Sequence, residues 1–304
     1  MYRLNANWLP CVAAALVLAH AEAASAQYAV EVVSYNAGTT PAMGYVLPST
    51  ALGSPVRFTG EGVFPSVVST FSPPFLTSEI VSIGESGQLT LRLSNYALPQ
   101  SAGPEIGIYS NFGLVDVSYP NGQAGTPAGG FGPPDAAVVE VSENGASWTS
   151  LGQFEFDLPT NGYADLTDPY SASPGSVASD FQQPFTDSLA NFDGLKYTDA
   201  AGPDMLELLA GSGGGKWLDI SASGLAKVGF IRFSIADDFS AGTRLNFELD
   251  AVSIAHVALG GPTAPEPATA VLALISGSWY AFMRRRRAAV RLTAGLGRAP
   301  AKRR

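Results

Sequence analysis

The stretch GQLTLRLS (87–94) sets Leu89, Leu91 and Leu93 against Thr90, Arg92 and Ser94. That period of two is satisfied by an extended strand with one buried face and by no helix. The same signature recurs along the chain. DAAVVEVSENGASWTSLGQFEFDLP (135–159) reads as strand, turn and strand, with Asn144-Gly145 as the tight turn. AKVGFIRFSIADDF (226–239) is a more continuously apolar, β-rich run, and RLNFELDAVSIAHV (244–257) closes the series. Glycine, proline and serine fill the connections, as in QAGTPAGGFGPPD (123–135) and YSASPGSVASD (170–180). The best helical candidate is GPDMLELLAG (202–211), room for one or two turns. No internal repeat or clear boundary divides the region 27–264. The expectation is an all-β chain: a two-sheet β-sandwich of the jelly-roll kind with long loops, followed by a single C-terminal transmembrane helix.

Charge is segregated rather than balanced. Residues 27–264 hold 7 Lys/Arg against 24 Asp/Glu, a net of −17, whereas 284–304 hold nine basic residues and no acidic one. A body this acidic repels phosphate backbones, which argues against nucleic acid as a partner. Cys11 and His20 both fall near the N-terminus, so the body has no cysteine and a single histidine, His256. Disulfides, cysteine-ligated zinc and thiol catalysis are thereby excluded from it.

The two ends carry addressing signals. Arg3, the apolar stretch from Val12 to Ala19 and the small residues Ala24-Ser25-Ala26 predict a secretory signal peptide over 1–26, cut by signal peptidase after Ala26. At the other end, Ala268 to Met283 form an uncharged run of 16 residues. As a helix it would measure about 24 Å against roughly 30 Å of hydrocarbon, a marginal span that Ser276, Gly277 and Ser278 weaken further. Pro267 suits the first turn of such a helix. Arg284, Arg285, Arg286 and Arg287 would stay cytoplasmic, leaving 288–304 as a basic cytoplasmic tail and the body outside.

Pro265-Glu266-Pro267, a short apolar helix and an arginine cluster, in that order over 265–287, resemble the PEP-CTERM sorting signal. The resemblance implies handling by an exosortase, a membrane-embedded transpeptidase-like enzyme of Gram-negative bacteria that make extracellular polysaccharide. It further implies transient residence in the inner membrane, removal of the signal near the PEP triplet, and delivery of the body to the cell surface or extracellular matrix. The body shows a second resemblance. GQLTLRLS, GPEIGIYSNFG (103–113), VVEVSENGASWTSL (138–151), WLDIS (217–221) and FELDAVSIA (247–255) are similar in layout to the jelly-roll domains of bacterial surface proteins, and to discoidin-like and carbohydrate-binding modules.

Several residue groups are candidates for chemistry. Asn246, Glu248 and Asp250 lie at alternate positions, so on a strand their oxygens share a face. With a loop acid such as Asp193 and backbone carbonyls they form a candidate Ca²⁺ site, and the modules resembled often hold a structural calcium. The alternative is polar alternation opposite Leu245, Phe247 and Leu249; Val252 and Ile254 continue the face of Asp250 and predict partial burial for it. Trp148 and Trp217 are candidate glycan contacts, each with a packing role as the alternative, and Tyr109, Tyr119, Tyr163 and Tyr170 lie in loop-rich stretches that can line a glycan face. Asp237-Asp238 is an acid pair, but neighbours on a strand point to opposite faces and do not flank one glycosidic bond. GSGGGKW (211–217) lacks the phosphate-loop spacing and reads as a flexible loop. Taken together these point to a non-catalytic structural or adhesive protein associated with exopolysaccharide. A carbohydrate-binding module, with or without calcium, is the first alternative, and a secreted glycan hydrolase or lyase the second.

Overall fold

The computed structural model describes residues 27–60, 67–101, 103–131, 135–235, 246–258 and 261–262. The chain divides at Thr263 into two units, Met1–Thr263 and Ala264–Arg304, and all the described residues belong to the first. The expected signal peptide, the expected sorting signal, the expected membrane span Ala268–Met283 and the pair Asp237-Asp238 lie outside the described residues. No helix among those described is long and apolar enough to cross a membrane.

Among the described residues, ten strands build two antiparallel sheets. They are β1 (Ala29–Asn36), β2 (Val81–Gly84), β3 (Gln88–Ala97), β4 (Ile106–Ser110), β5 (Ala136–Ser142), β6 (Thr149–Glu155), β7 (Lys216–Leu218), β8 (Val228–Ser234), β9 (Asn246–Ile254) and β10 (Val257–Ala258). The first sheet runs β1-β3-β8-β5-β6, with β10 beside the end of β3; the second runs β2-β9-β4-β7. The pairing is nested: β5 with β6, β4 with β7, β3 with β8 and β2 with β9. Each strand predicted from the pattern is present. The helix is too, as a short α1 (Met205–Leu209) whose N-cap Asp204 accepts from the Glu207 N–H.

The alternation of β3 explains the core. Leu89, Leu91 and Leu93 are fully buried, together with Val139 and Val141 of β5 and Ile231 and Phe233 of β8. From the second sheet Val81, Ile83, Ile106, Ile108, Phe247 and Leu249 meet them in the same cluster. Phe247 stacks on Phe156 at 4.6 Å between centroids and lies 5.5 Å from Phe233, so one ring joins the two layers. On the far face of the first sheet, Arg232 pairs with Glu140 at 3.4 Å and Arg92 with Glu31 at 2.6 Å. Such partly exposed pairs fix register and add little stability.

The second sheet is covered on its other face as well. Beside β2 and β9 the cover is the segment between β1 and β2: Ala42 N–H donates to the Ser82 hydroxyl, Ser82 N–H to the Tyr45 carbonyl, and Val56 N–H to Asp250. Beside β4 and β7 it is a second apolar cluster drawn from the long connections, including Phe71, Leu114, Phe181, Phe192, Tyr197 and Met205. A sheet buried on both faces needs apolar side chains on both, which is why Tyr109 and Trp217 point into this second cluster while Ile108 and Leu218 point into the first.

Two local expectations are corrected. The β5–β6 connection is not a two-residue turn: it spans 143–148, with Gly145 at φ 73° and Asn144 Oδ1 accepting from the Ala146 and Ser147 N–H groups. The face of β9 also changes midway. Ser110 pairs with Leu249 and Tyr109 with Ala251, so Asp250 is an extra residue, a β-bulge. Beyond it Val252 and Ile254 return to the core face shared by Phe247 and Leu249, and do not continue the face of Asp250.

Candidate functional site

The glycine-rich run Gly211–Gly215 before β7 shapes the site. A Cβ at Gly213 would lie 2.0 Å from the Phe181 ring, and one at Gly214 2.2 Å from the Pro159 carbonyl oxygen, where φ is also +75°. This segment, expected as a flexible loop, is instead buried and tightly threaded because backbone passes where no side chain fits. It delivers β7 to the edge of the second sheet. There Gly107 of β4 stands opposite Trp217, and a Cβ on it would come within 2.8 Å of the indole. Trp217 Nε1 donates to the Gly214 carbonyl at 3.1 Å, and the residue is 6 % exposed.

At this edge lies a cavity of about 270 Å³. Its apolar wall is Pro104, Leu158, Phe185 and Trp217; its polar wall is Thr186, Asp187, Lys216 and Asp219. Hydrogen bonds from Ser221, side chain first and then backbone N–H, hold the Asp219 carboxyl below the ordinary carboxylate range, so Asp219 is charged at neutral pH. Among the described residues, the side chains of Thr186, Asp187 and Lys216 make no hydrogen bond or ion pair. The cavity therefore presents two carboxylates, one ammonium and one hydroxyl above an apolar wall.

Glu105, fully buried beside Pro104, secures this corner. One of its carboxylate oxygens accepts from the Gln100 N–H and the other from the Ile220 N–H, the latter at 2.9 Å. Glutamine offers one acceptor and one NH₂, so Glu105→Gln sets a donor against a buried N–H. The expected loss is about 1–3 kcal/mol of unfolding free energy by urea titration.

A second polar-aromatic patch lies on the excursion 114–130, which is closed by the bridges Leu114–Gly130 and Asp116–Ala124. Asp116 accepts from the N–H groups of Ser118, Gly122 and Gln123 and from the Tyr170 hydroxyl at 3.1 Å. Burial first, and then the charge of Asp116, raises the Tyr170 hydroxyl above its ordinary pKa. Tyr119, 74 % exposed, meets Tyr170 edge to face at 5.1 Å.

The predicted site residues fare unevenly. Of the four tyrosines, Tyr119 and Tyr170 come together; Tyr163 is half-buried on the neighbouring 163–178 bridge; Tyr109 is fully buried, donates to the Phe181 carbonyl and is raised in pKa by that burial. Trp148 is half-buried with the Arg232 guanidinium 3.7 Å above its ring, so that face is occupied. Trp217 reaches the cavity only from within the second cluster, so it lends a wall rather than a free stacking face. His256 is exposed at the bend between β9 and β10.

The calcium set is not assembled. Among the described residues no three or more His, Cys, Asp or Glu side chains are grouped to share a metal ion, which separates Asp193, Glu248 and Asp250. Asp193 accepts from the Ala128 N–H at 2.7 Å and holds a loop. Asn246 is half-buried on β9 opposite Gly84. Glu248 and Asp250 are 2 % and 1 % exposed under the segment between β1 and β2, and Asp250 takes the Val56 N–H at 3.0 Å. A spacing of two aligns oxygens along a strand, and here the two carboxylates of that set lie buried beneath the segment between β1 and β2.

Sequence reasoning missed Thr186, Asp187, Lys216 and Asp219. Lys216 precedes Trp217 in β7 and Asp219 follows directly after the strand, so two charged residues bracketing a short Trp-Leu pair were the available signal. Thr186 and Asp187 reach the cavity from a connection with no regular pattern. No family model matches the chain, and no curated protein matches it.

Proposed function

We propose that this chain is an exported, non-catalytic protein of the cell surface or extracellular matrix, delivered by a C-terminal sorting signal and presenting an acidic β-sandwich to extracellular polysaccharide. The observation that carries the reading is a sequence of three parts at the tail, Pro265-Glu266-Pro267, then the uncharged run Ala268–Met283, then Arg284–Arg287, together with the signal-peptide pattern that precedes the body. A span this short is a poor permanent anchor and a sufficient temporary one. The partners are signal peptidase at Ala24–Ala26, the inner membrane during transit, and an exosortase acting near Pro265–Pro267. The nested pairing of β2 with β9, β3 with β8, β4 with β7 and β5 with β6 supports the jelly-roll layout, a hairpin rolled onto itself.

Deleting 265–287 tests the reading by cell fractionation in the native host. The intact chain is expected at the surface or in the matrix, and the deletion variant in the periplasm or the culture medium. An unchanged distribution, or a cytoplasmic body, would contradict it.

A further inference from the structure

We infer that the cavity at the β7 edge binds one neutral sugar ring, a terminal glycosyl unit of the polysaccharide. The inference rests on the reading of the chain as a matrix protein and names the ligand class of that reading. At about 270 Å³ the cavity falls just below the roughly 300–1,000 Å³ of pockets for drug-sized ligands, which leaves room for a single ring rather than an oligomer.

The lining chooses the ligand's chemistry. Leu158, Phe185 and Trp217 offer an apolar wall to the C–H face of a pyranose. Asp187 and Asp219 are acceptors for hydroxyl donors, and adjacent hydroxyls can share one carboxylate. The Lys216 ammonium donates to a ring or hydroxyl oxygen, and Thr186 does either. Three of these four groups have no partner among the described residues, and Asp219 is engaged by Ser221, through its hydroxyl and through the N–H that donates to Oδ1. Thr186, Asp187 and Lys216 therefore give up no existing hydrogen bond to seat a polyol. Two carboxylates against one ammonium leave the cavity net negative, inside a body of net −17 over residues 27–264. Phosphate, sulfate and uronate groups are disfavoured on that ground, and a lipid chain is disfavoured by the charged rim. A handful of hydrogen bonds to one ring places binding in the weak, millimolar regime.

The test is saturation-transfer NMR on the full chain, with methyl hexopyranosides of glucose, galactose and mannose as probes and the matching methyl uronates as controls. At least one neutral glycoside is expected to receive saturation at its ring C–H protons, with its uronate at least tenfold weaker. Asp187→Ala and Lys216→Ala should each weaken binding tenfold or more with little shift of the thermal midpoint, since Asp187 is exposed, Lys216 half-buried, and neither side chain makes a hydrogen bond or ion pair among the described residues. If no hexoside binds, if a uronate binds more tightly, or if both variants bind as well as the parent, the inference is overturned. A trisaccharide separates the sources: a terminal unit gives saturation confined to its end ring, and a free monosaccharide ligand gives none on the trisaccharide, which would refute the glycan assignment. Binding is read on purified protein, so its failure is independent of where the tail sends the chain.

Discussion

Asp250→Asn is expected to stabilise the sandwich at neutral pH and to change it little near pH 4. Burial, the dominant cause, pushes the Asp250 carboxyl well above the ordinary carboxylate range; Glu79 pushes the same way, and the Val56 N–H opposes both. The folded pKa thus exceeds the unfolded one. Below the unfolded value, about 4, both states hold the proton and stability is complete. As pH rises the unfolded chain ionises first, and stability falls by about 1.4 kcal/mol per pH unit until the folded pKa is reached. Asparagine keeps an oxygen for Val56 N–H and has no proton to lose, so that slope disappears. Urea titrations of both proteins across pH 4 to 8 measure it. Parallel profiles would show that Asp250 ionises in the folded state as freely as in water.

Phe247→Ala should cost about 3–5 kcal/mol, the range for deleting a large buried aromatic. Its ring touches Phe156 and Phe233 across the two sheets and is fully buried, so the void opens at the centre of the core. Trp148→Ala, at a half-buried ring whose recorded partner is Arg232, should cost far less, on the order of 1 kcal/mol for the cation–π contact. Denaturant midpoints of the two variants decide this. Equal losses would mean that Phe247 does not join the layers.

What was readable in the chain followed from period. β3, β5, β8 and β9 each declare themselves by alternation or β-rich apolar runs, and α1 by its acidic cap and leucines. What was hidden depends on contacts between distant segments. Nothing local marks Asp250 as a bulge, because the extra residue exists only relative to the Tyr109–Ser110 partner strand. Glu248 and Asp250 resemble a solvated ladder until the segment carrying Tyr45 and Val56 is laid over them. Phe181, Phe185, Phe192 and Tyr197 are spaced by neither strand nor helix, yet they form a second core over β4 and β7. That core is what buries Tyr109, placed by the sequence in a loop-rich stretch, and Trp217, for which a packing role was the alternative to a glycan contact. The cavity joins Pro104, Leu158, the 185–187 segment and β7, and no single stretch holds more than part of it.

The proposed destination rests on the tail, and whether the tail is processed can be weighed directly. Intact-mass analysis of the mature protein from its native host is the most direct measurement. The account predicts a chain that begins at Gln27 and ends close to Pro265–Pro267, without Arg284–Arg287, with any added mass confined to the new C-terminus. A mature chain that still carries the arginine cluster through Arg304 would contradict it.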